Sequence, residues 1–400
     1  MTFAAPHASD FDFDEIVDRR GSRCAKWDKM EALYGVSPDD GIAMWVADMD
    51  FRAPPSVREA LQRTVDHGVF GYFGDDSAYK AAVTAWMRDR HGWEVDPAWL
   101  STTHGLVSGT ALCVQAFSEP GDGVILFTPV YHAFHKVLKA NRRRIVQSEL
   151  VERDGRYEMD FAALAGRLDG SERMVILCSP HNPGGRVWDA AEIRAVADFC
   201  AEHDLILVSD EIHADLVMPG APRHVVANLA APEHVDRIVT LAASTKTFNI
   251  AGAMTGGVYI QDPSLRVRFQ AVHQSVGASP NAMGMIMATA AYEGGAPWLD
   301  ALIPYLDGNR RAFDAAVDAI PGVRSMPLEA TYLAWVDFSG TGMSAEEFTR
   351  RVEKDARIAV NHGPTFGEGG GGWLRFNLAT PRVRVEEAGA RLQEAFSDLQ

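Results

Sequence analysis

The chain has 400 residues, 47% of them hydrophobic, which is enough to bury a large core in roughly two to three domains. Its 54 acidic against 38 basic residues give a formal net charge of -16, which argues against nucleic acid or an anionic membrane as a main partner. The 4 cysteines lack CxxC spacing, and no run approaches about 18 uncharged apolar residues. We therefore expect no signal peptide and no membrane span, and a reducing compartment, by default the cytoplasm.

The N-terminal part of the chain does not have the pattern of a domain. Residues 11–50 are rich in charged and aromatic residues with little periodicity, so we predict an arm over residues 1–50 that joins a smaller domain. A helix is predicted from about Ser56, which can cap it, to His67. The loop that follows, GVFGYFG, displays Tyr72 between glycines.

A turn of small residues, THGLVSG at residues 103–109, leads directly into another predicted helix. Free backbone N–H groups and the helix dipole both face such a turn, which makes it a candidate anion site around Gly105. An ordinary helix start would be the simpler interpretation if this turn stood alone.

From residue 124 to residue 260 the sequence repeats one pattern, a short apolar β-rich run followed by a polar or aromatic residue and a helical segment. This alternation predicts an α/β fold with a mostly parallel sheet covered on both faces. In such a sheet, ligands bind outside the carboxyl ends of the strands. The residues that end or follow these runs, and should share that edge with the Gly105 turn, are Tyr131, Asn182, Asp210 and Lys246.

Lys246 lies in the stretch TLAASTKTFNIAG, directly after the apolar run RIVTL. An ammonium group is costly to bury unless its pKa falls or it is converted to an imine. A lysine that reaches solvent from the end of a strand is the simpler interpretation of this segment by itself. The other polar residues expected at the same edge favour Schiff-base chemistry instead.

The sequence pattern changes near residue 290, where a long helical stretch and strands such as TYLAWVDF predict a smaller α/β domain. We therefore expect a large domain over residues 51–290 and a small C-terminal domain over residues 291–400. Arg375 lies inside the apolar run WLRFNLA, where it needs an anionic partner.

An aromatic phosphate that carries an aldehyde and a ring nitrogen would use all the residues at the sheet edge. Lys246 would form the imine, Asp210 would pair with the protonated nitrogen, and the Gly105 turn would hold the phosphate. Asn182 would hydrogen-bond the ring oxygen, and Tyr131 would stack on the ring. A carboxylate beside the nitrogen keeps the ring cationic, so that it accepts the electrons released when a bond at the substrate Cα breaks.

The sequence resembles the fold-type I pyridoxal-phosphate enzymes of the aminotransferase class I/II superfamily, and within it the MalY/PatB-type branch of cystathionine β-lyases, or C–S lyases. The stretches that carry the resemblance are DRRGSRCAKWD, WVADMDF, FGYFGDD, SPHNPGG, SDEIHADL, STKTFNIAG and WLRFNLATPR. KWD and WVADMDF are specific to the branch, whereas HNPGG, the aspartate of SDEIH, the lysine of STKTFNIAG and the arginine of WLRFNLATPR mark the wider superfamily. The resemblance implies a large domain with a seven-stranded, mostly parallel sheet between helices, and a smaller α/β C-terminal domain.

The resemblance also implies pyridoxal 5′-phosphate as the cofactor. Lys246 is then the imine lysine and Asp210 the partner of the pyridinium nitrogen, and both are catalytic. Asn182 bonds the phenolic oxygen and Tyr131 stacks on the ring, each beside the substrate. Arg375 binds the carboxylate of a small amino-acid substrate.

The phosphate site implied by the resemblance combines two chains. Backbone groups of Leu106 and Val107, next to Gly105, hold the phosphate. Tyr72 reaches it from the neighbouring subunit and counts among the catalytic residues. The active site then lies at a subunit interface, and a homodimer is obligatory for activity.

Three positions depart from the superfamily pattern. His213 stands where many members place a tyrosine that contacts the phenolic oxygen. Ala243 replaces a serine that often precedes the lysine, which leaves Ser244 and Thr245 as candidate phosphate donors. Met254 replaces a phosphate-binding arginine of many relatives, so phosphate binding should depend more on the helix turn and on the neighbouring subunit's tyrosine.

The implied reaction is α,β-elimination from an L-amino acid with sulfur on Cβ, such as L-cystathionine or another cysteine S-conjugate. Lys246 removes the Cα proton, a thiolate leaves, and the released aminoacrylate hydrolyses to pyruvate and ammonia. An aminotransferase, which returns the proton to the cofactor carbon, uses the same residues and is the main alternative. A regulatory protein that retains the fold to bind a partner is a further alternative.

No metal is predicted, because His132 and His135 have no carboxylate or cysteine beside them in the sequence. The isomer of the bond between Asn182 and Pro183 stays open.

Overall fold

A computed structural model describes residues 11–278 and 281–399 of the protein. Its strands, in chain order, are β1 (Ile42–Ala43), β2 (Leu100–Thr103), β3 (Gly123–Thr128), β4 (Arg144–Glu149), β5 (Val151–Arg153), β6 (Arg156–Glu158), β7 (Glu172–Cys178), β8 (Ile206–Asp210), β9 (Ile238–Ala242), β10 (Gly256–Ile260), β11 (Arg324–Ser325), β12 (Leu333–Asp337), β13 (Ile358–Ala359), β14 (Asn361–His362) and β15 (Trp373–Asn377). Residues 1–10 of the predicted arm and residue 400 of the predicted small domain lie outside the described residues.

The α-helices of the described residues connect these strands. In chain order they are α1 (Ala25–Asp28), α2 (Met30–Tyr34), α3 (Pro55–His67), α4 (Ser77–Trp86), α5 (Leu106–Phe117), α6 (His132–Ala140), α7 (Phe161–Ala165), α8 (Ala190–Glu202), α9 (Ala227–Ala230), α10 (Ser244–Thr247), α11 (Pro263–Ser275), α12 (Ala282–Gly294), α13 (Ala296–Asp318), α14 (Ala345–Arg350) and α15 (Arg382–Ala395). The predicted helix from about Ser56 is α3, which begins one residue earlier because proline is favoured at the first helical position.

The largest sheet contains seven strands within the described residues, in the order β2-β10-β9-β8-β7-β3-β4. The five strands from β9 to β4 are parallel, whereas β10 is antiparallel to both β2 and β9. Strand β2 therefore runs in the direction of β9 and ends at the same edge as the parallel strands. The predicted mostly parallel α/β sheet is confirmed, and the antiparallel strand β10 within it was not predicted.

The central strands of this sheet are buried on both faces. Val124 and Leu126 of β3 belong to one hydrophobic cluster with Ile176, whereas Ile125 belongs to a second cluster with Val175. Successive residues of a strand point to opposite faces, so the two clusters lie on the two sides of the sheet. Covering both sides requires strands made of consecutive aliphatic residues, which is the pattern in the sequence.

A smaller antiparallel sheet, in the order β11-β12-β15-β14, lies in the C-terminal part of the chain. Strand β1 of the predicted arm pairs in parallel with β13, with Ile42 opposite Ile358. This pairing joins the arm to a strand that follows residue 290. The domain boundaries at residues 50 and 290 stay a prediction.

Two findings bear on the compartment and on membranes. The four cysteines are free thiols. In residues 11–278 and 281–399, no helix has the length and apolar character that crossing a membrane requires.

Candidate active site

The topology brings the predicted residues to one edge of the large sheet. Tyr131 precedes α6 just after β3, and Asn182 follows β7. Asp210 is the last residue of β8, and Lys246 lies in α10, directly after β9. Gly105 lies between β2 and α5, and so reaches the same edge.

A cavity of about 780 Å³ opens at this edge. Lys246, Tyr131 and Arg375 line it, and the segment 45–47 contributes to its wall. A cavity of this size is in the range of small-molecule and cofactor sites. Side chains from both ends of the chain therefore share one site.

Lys246 is half-buried, and its Nζ donates a hydrogen bond to the carbonyl of Ala47. Burial lowers the pKa of Lys246 to about 8, although the negative charge of Asp48 opposes the change. The positive charge of Arg375 adds to the lowering. An amine of this pKa can lose its proton near neutral pH, as a nucleophile or base must.

Asp210 is buried, and its Oδ1 accepts a hydrogen bond from the backbone nitrogen of Ile212 at 3.2 Å. Burial raises the pKa of Asp210 to about 7, and the Ile212 hydrogen bond and the charge of Lys246 offset this only in part. A buried carboxylate without a close cation is costly. The position therefore suits a ligand that brings a positive charge.

Arg375 is 2% exposed, and it is held by neutral groups. It donates to Asn182 Oδ1 at 2.8 Å, to the Trp45 carbonyl at 2.9 Å and to Asn361 Oδ1. Burial lowers the pKa of Arg375 to about 10, and no carboxylate among the described residues forms an ion pair with it. A ligand must therefore supply the anionic partner that the sequence predicts for Arg375.

Asn182 and Tyr131 lie beside Arg375. Asn182 is buried and precedes Pro183 through a cis peptide bond, the isomer that the sequence left open. Because its Oδ1 accepts from Arg375, its amide nitrogen is left to donate elsewhere. Burial raises the pKa of Tyr131, and the charges of Arg375 and Asp210 both act on it.

The start of α5 has the form of an anion site. Gly105 precedes the helix at φ 77° and ψ 166°, a backbone conformation open almost only to glycine, and no side chain caps the helix. Leu106 is buried and Val107 is exposed in the first turn. Met254 lies close enough that a Cβ at Gly105 would be 3.9 Å from its Cε.

His213 is buried, and its Nδ1 has no hydrogen-bond partner. Burial lowers the pKa of His213 to about 3, and the charges of Lys246 and Arg375 add to the effect, so the imidazole is neutral at physiological pH. Ser244 and Thr245 are buried in α10 beside Lys246.

Tyr72 does not join this site within one chain. It is fully exposed and lies in the irregular segment between α3 and α4, together with exposed Val69 and Phe70. A role for Tyr72 at the cavity therefore depends on a second copy of the chain.

The sequence analysis gave no site role to the segment 45–50, yet this segment contacts both ends of the candidate site. The Trp45 carbonyl accepts from Arg375, and the Ala47 carbonyl accepts from Lys246. The hydroxyl of Tyr332 donates to the same Ala47 carbonyl at 2.9 Å. The only signal was the branch-specific stretch WVADMDF, because contacts between residues 199 and 330 positions apart in the sequence leave no local pattern.

A buried group of charges holds this segment in place. Asp50 accepts from Lys26 Nζ at 2.9 Å, from Trp27 Nε1 at 3.0 Å and from Arg19 at 2.8 Å. Arg19 also pairs with Asp48 at 2.9 Å. Lys26 and Asp50 are both buried, so the stretches KWD and WVADMDF meet in one ion cluster.

The donor groups of this site fit pyridoxal phosphate. The uncapped start of α5 offers backbone N–H groups to a phosphate, and Asp210 lacks the cation that a protonated ring nitrogen would supply. The unpartnered Nδ1 of His213 can meet a polar group of the ring. The amine of Lys246, with its lowered pKa, suits an aldehyde carbon.

Residues 40–392 match the family described as aminotransferase class I and II. The chain belongs to this family. Among its relatives in the family, cystathionine beta-lyase PatB of Bacillus subtilis (strain 168) is 40% identical over 388 residues, covering 96% of this chain and 100% of the relative. Protein MalY of Escherichia coli (strain K12) is 32% identical over 391 residues, covering 96% of this chain and 98% of MalY.

A solved structure with the same fold extends the comparison. The crystal structure of cystalysin from Treponema denticola, which contains a pyridoxal 5′-phosphate cofactor, matches with a TM-score of 0.93 and 36% sequence identity, covering 98% of this chain and 100% of cystalysin. The predicted aminotransferase class I/II superfamily and its MalY/PatB-type branch are confirmed by these matches to the family and its members.

Proposed function

We propose that the protein is a pyridoxal-phosphate-dependent carbon–sulfur β-lyase. Its substrate is L-cystathionine or a related cysteine S-conjugate, which α,β-elimination converts to pyruvate, ammonia and a thiol. The observation that carries the proposal is one cavity that contains both the amine of Lys246 and the buried guanidinium of Arg375, which lacks a carboxylate partner. The similarity to cystathionine beta-lyase PatB favours a lyase over an aminotransferase.

The substrate's carboxylate is the natural partner of Arg375. The guanidinium is fixed by hydrogen bonds to Asn182 and Trp45, so its remaining N–H groups are already oriented when the carboxylate arrives. Holding the carboxylate there orients the substrate so that its Cα–H bond faces Lys246. Asn182, whose Oδ1 is taken by Arg375, uses its amide nitrogen to donate to the ring oxygen of the cofactor.

Pyridoxal phosphate, when bound, supplies a ring that accepts the electrons of the broken Cα–H bond. Asp210 holds a proton on the ring nitrogen, because a cation at that position relieves the cost of the buried carboxylate. Lys246 Nζ takes the Cα proton, as its lowered pKa permits near neutral pH. A double bond then forms between Cα and Cβ, and the electron pair of the Cβ–S bond leaves with the thiolate. The released aminoacrylate takes up water and loses ammonia to give pyruvate.

The phosphate is assigned to Gly105, Leu106 and Val107 at the start of α5, with Ser244 and Thr245 as further donors. We also propose that the active form is a homodimer in which Tyr72 of one chain reaches the phosphate of the other. The full exposure of Tyr72 supports this, because an aromatic side chain in an apolar loop is seldom left entirely in water.

The four free thiols support the cytoplasm as the site of action.

The decisive experiment measures pyruvate formed from L-cystathionine by the holoenzyme without any added keto acid. We expect pyruvate and a free thiol in equal amounts. Turnover that requires a keto acid, with no pyruvate in its absence, would establish transamination instead.

A second measurement tests the assignment of the lysine. Lys246→Ala should lose the visible absorbance of the bound cofactor and essentially all pyruvate formation. If the absorbance persists and is abolished only by replacing another lysine, the assignment of Lys246 is wrong.

A further inference from the structure

One face of α6 forms the part of the cavity that the amino-acid end of the substrate does not use. His132, His135, Lys136 and Lys139 all line the cavity from this helix. Their spacing of three and four positions places them on one side of an α-helix. The opposite side of α6, which includes Phe134, is buried in the core.

This wall is positively charged in a protein whose net charge is strongly negative. Lys136 and Lys139 are exposed, and within the described residues neither forms an ion pair. Among the residues that the structure describes, no aspartate or glutamate lines the cavity. The carboxylate of Glu368 accepts a hydrogen bond from Nε2 of Gln147, a cavity-lining residue, at 3.2 Å.

The two histidines of the wall add neutral hydrogen-bonding groups. Burial lowers the pKa of His132 to about 4, with the charges of Arg375 and Lys136 adding to the effect, and burial also lowers the pKa of His135. The Nδ1 atoms of His132 and His135 are buried and have no partner. The wall therefore offers two ammonium groups and the rings of two histidines to whatever occupies this end.

We propose that this face of α6 binds the leaving thiol, and that the preferred substrates are cysteine S-conjugates whose leaving thiol carries a carboxylate. The inference rests on the proposed function, because it assigns the amino-acid end of the substrate to Lys246 and Arg375. The substrate's sulfur then points away from them, into the remaining volume of the cavity. A carboxylate on the thiol meets Lys136 and Lys139, which the chain itself leaves without an anion.

The test compares two substrates that differ only at the end of the leaving group. S-(2-carboxyethyl)-L-cysteine ends in a carboxylate, and S-propyl-L-cysteine ends in a methyl group at the same position. We expect the holoenzyme to show a higher kcat/KM for the carboxylate, measured as pyruvate. The preference should shrink in high salt, because exposed charges are screened.

The double variant Lys136→Gln/Lys139→Gln should lower kcat/KM for the carboxylate substrate by about fivefold to tenfold and leave the propyl substrate unchanged. The control Lys29→Gln/Arg63→Gln removes two positive charges from exposed positions that do not line the cavity. It should leave the ratio of the two substrates as in the wild type. An equal loss for both substrates in the α6 variant, or the same shift in the control, would overturn the inference.

A binding measurement separates failure of this inference from failure of the proposed function. L-2-aminopimelate and L-2-aminoheptanoate are analogues in which carbon replaces sulfur, so neither can eliminate, and they differ in the same terminal group. Calorimetric Kd values for the holoenzyme should favour aminopimelate, and the α6 double variant should remove the preference. If no conjugate yields pyruvate while this preference holds, the lyase assignment fails and the α6 site stands. Equal Kd values in the wild type reject the α6 site whatever the reaction.

Discussion

The buried carboxylate of Asp210 makes the stability of the cofactor-free protein depend on pH. Its pKa is raised from 3.8 to about 7, so between these values the folded chain keeps a proton that the unfolded chain loses. The free energy of unfolding should therefore fall as pH rises from about 4 to about 7, by up to about 4 kcal/mol from this group. Urea unfolding of cofactor-free protein across this range measures the effect.

The matched control for this prediction is Asp210→Asn, which cannot titrate. Subtracting its pH dependence from that of the wild type removes the contribution of every other group. The difference should grow toward neutral pH in cofactor-free protein and should shrink once pyridoxal phosphate is added, because the ring nitrogen supplies the missing cation. A difference that does not vary with pH contradicts the raised pKa.

At the scale of single residues, the sequence predicted those that follow strands and missed those that contact them across long distances. Asp210 and Lys246 were predictable because each ends or follows an apolar run, and parallel strands place such positions together. The contacts of Tyr332 and of the Ala47 carbonyl were not predictable, because no local sequence pattern marks a carbonyl group that a remote lysine contacts. The exposed lysines of α6 were not predicted as site residues either, because in the sequence they look like the lysines of any solvent-exposed helix face.

At the scale of elements, the start of α5 depends on one backbone conformation. Gly105→Ala should strain the turn at φ 77° and ψ 166° by about 1 to 3 kcal/mol, since a Cβ disfavours this region. The helix start should then hold the phosphate less well, and the Kd for pyridoxal phosphate, measured by titrating cofactor-free protein, should rise. Gly166→Ala is the control, because Gly166 has an ordinary φ of -67°. Equal Kd values for the two variants would remove α5 from the phosphate site.

The ion cluster that holds the segment 45–50 gives a second prediction. Lys26→Met removes a buried cation 2.9 Å from Asp50 and leaves a buried carboxylate short of a partner, which should cost about 3 to 5 kcal/mol in unfolding free energy. Because the same segment contacts Lys246 through Ala47, cofactor affinity should fall as well. Arg52→Gln, which breaks an exposed ion pair with Glu15, should change the urea midpoint little. Similar midpoints for the two variants would contradict this account.

Strands β3, β7, β8 and β9 of the large sheet were predictable, because each contains the continuous apolar run that two-sided burial requires. The parallel strand β4, RIVQSE, lies at the edge of the sheet and lacks such a run. The antiparallel direction of strand β10 was not predictable, because the residues of Gly256–Ile260 resemble those of the parallel strands and do not encode a direction. The direction of a strand follows from the connection before it. Here that connection passes through α10 and the short turn at Ala251–Ala253, which reverse the chain within a few residues.

At the scale of the whole molecule, the proposed dimer predicts complementation between two inactive variants. Each site would combine Lys246 of one chain with Tyr72 of the other. Lys246→Ala and Tyr72→Ala homodimers should both be inactive or strongly impaired, whereas mixing after partial unfolding should restore activity, because one of the two sites in a hybrid has neither substitution. Sedimentation of the wild type should show a dimer. A monomer, or mixtures without gain in activity, would leave Tyr72 outside the site.

The contacts of the Trp45 and Ala47 carbonyls with Arg375 and Lys246 also determine when the site can exist during biosynthesis. The sheet can begin to form as its strands leave the ribosome, but Arg375 emerges only about 100 residues or more after the last strand of the large sheet ends at Ile260. A nascent chain can therefore hold a folded sheet while the candidate site still lacks one of its walls. We therefore expect cofactor capture to be a late event in biosynthesis, because it waits for the segment that carries Arg375.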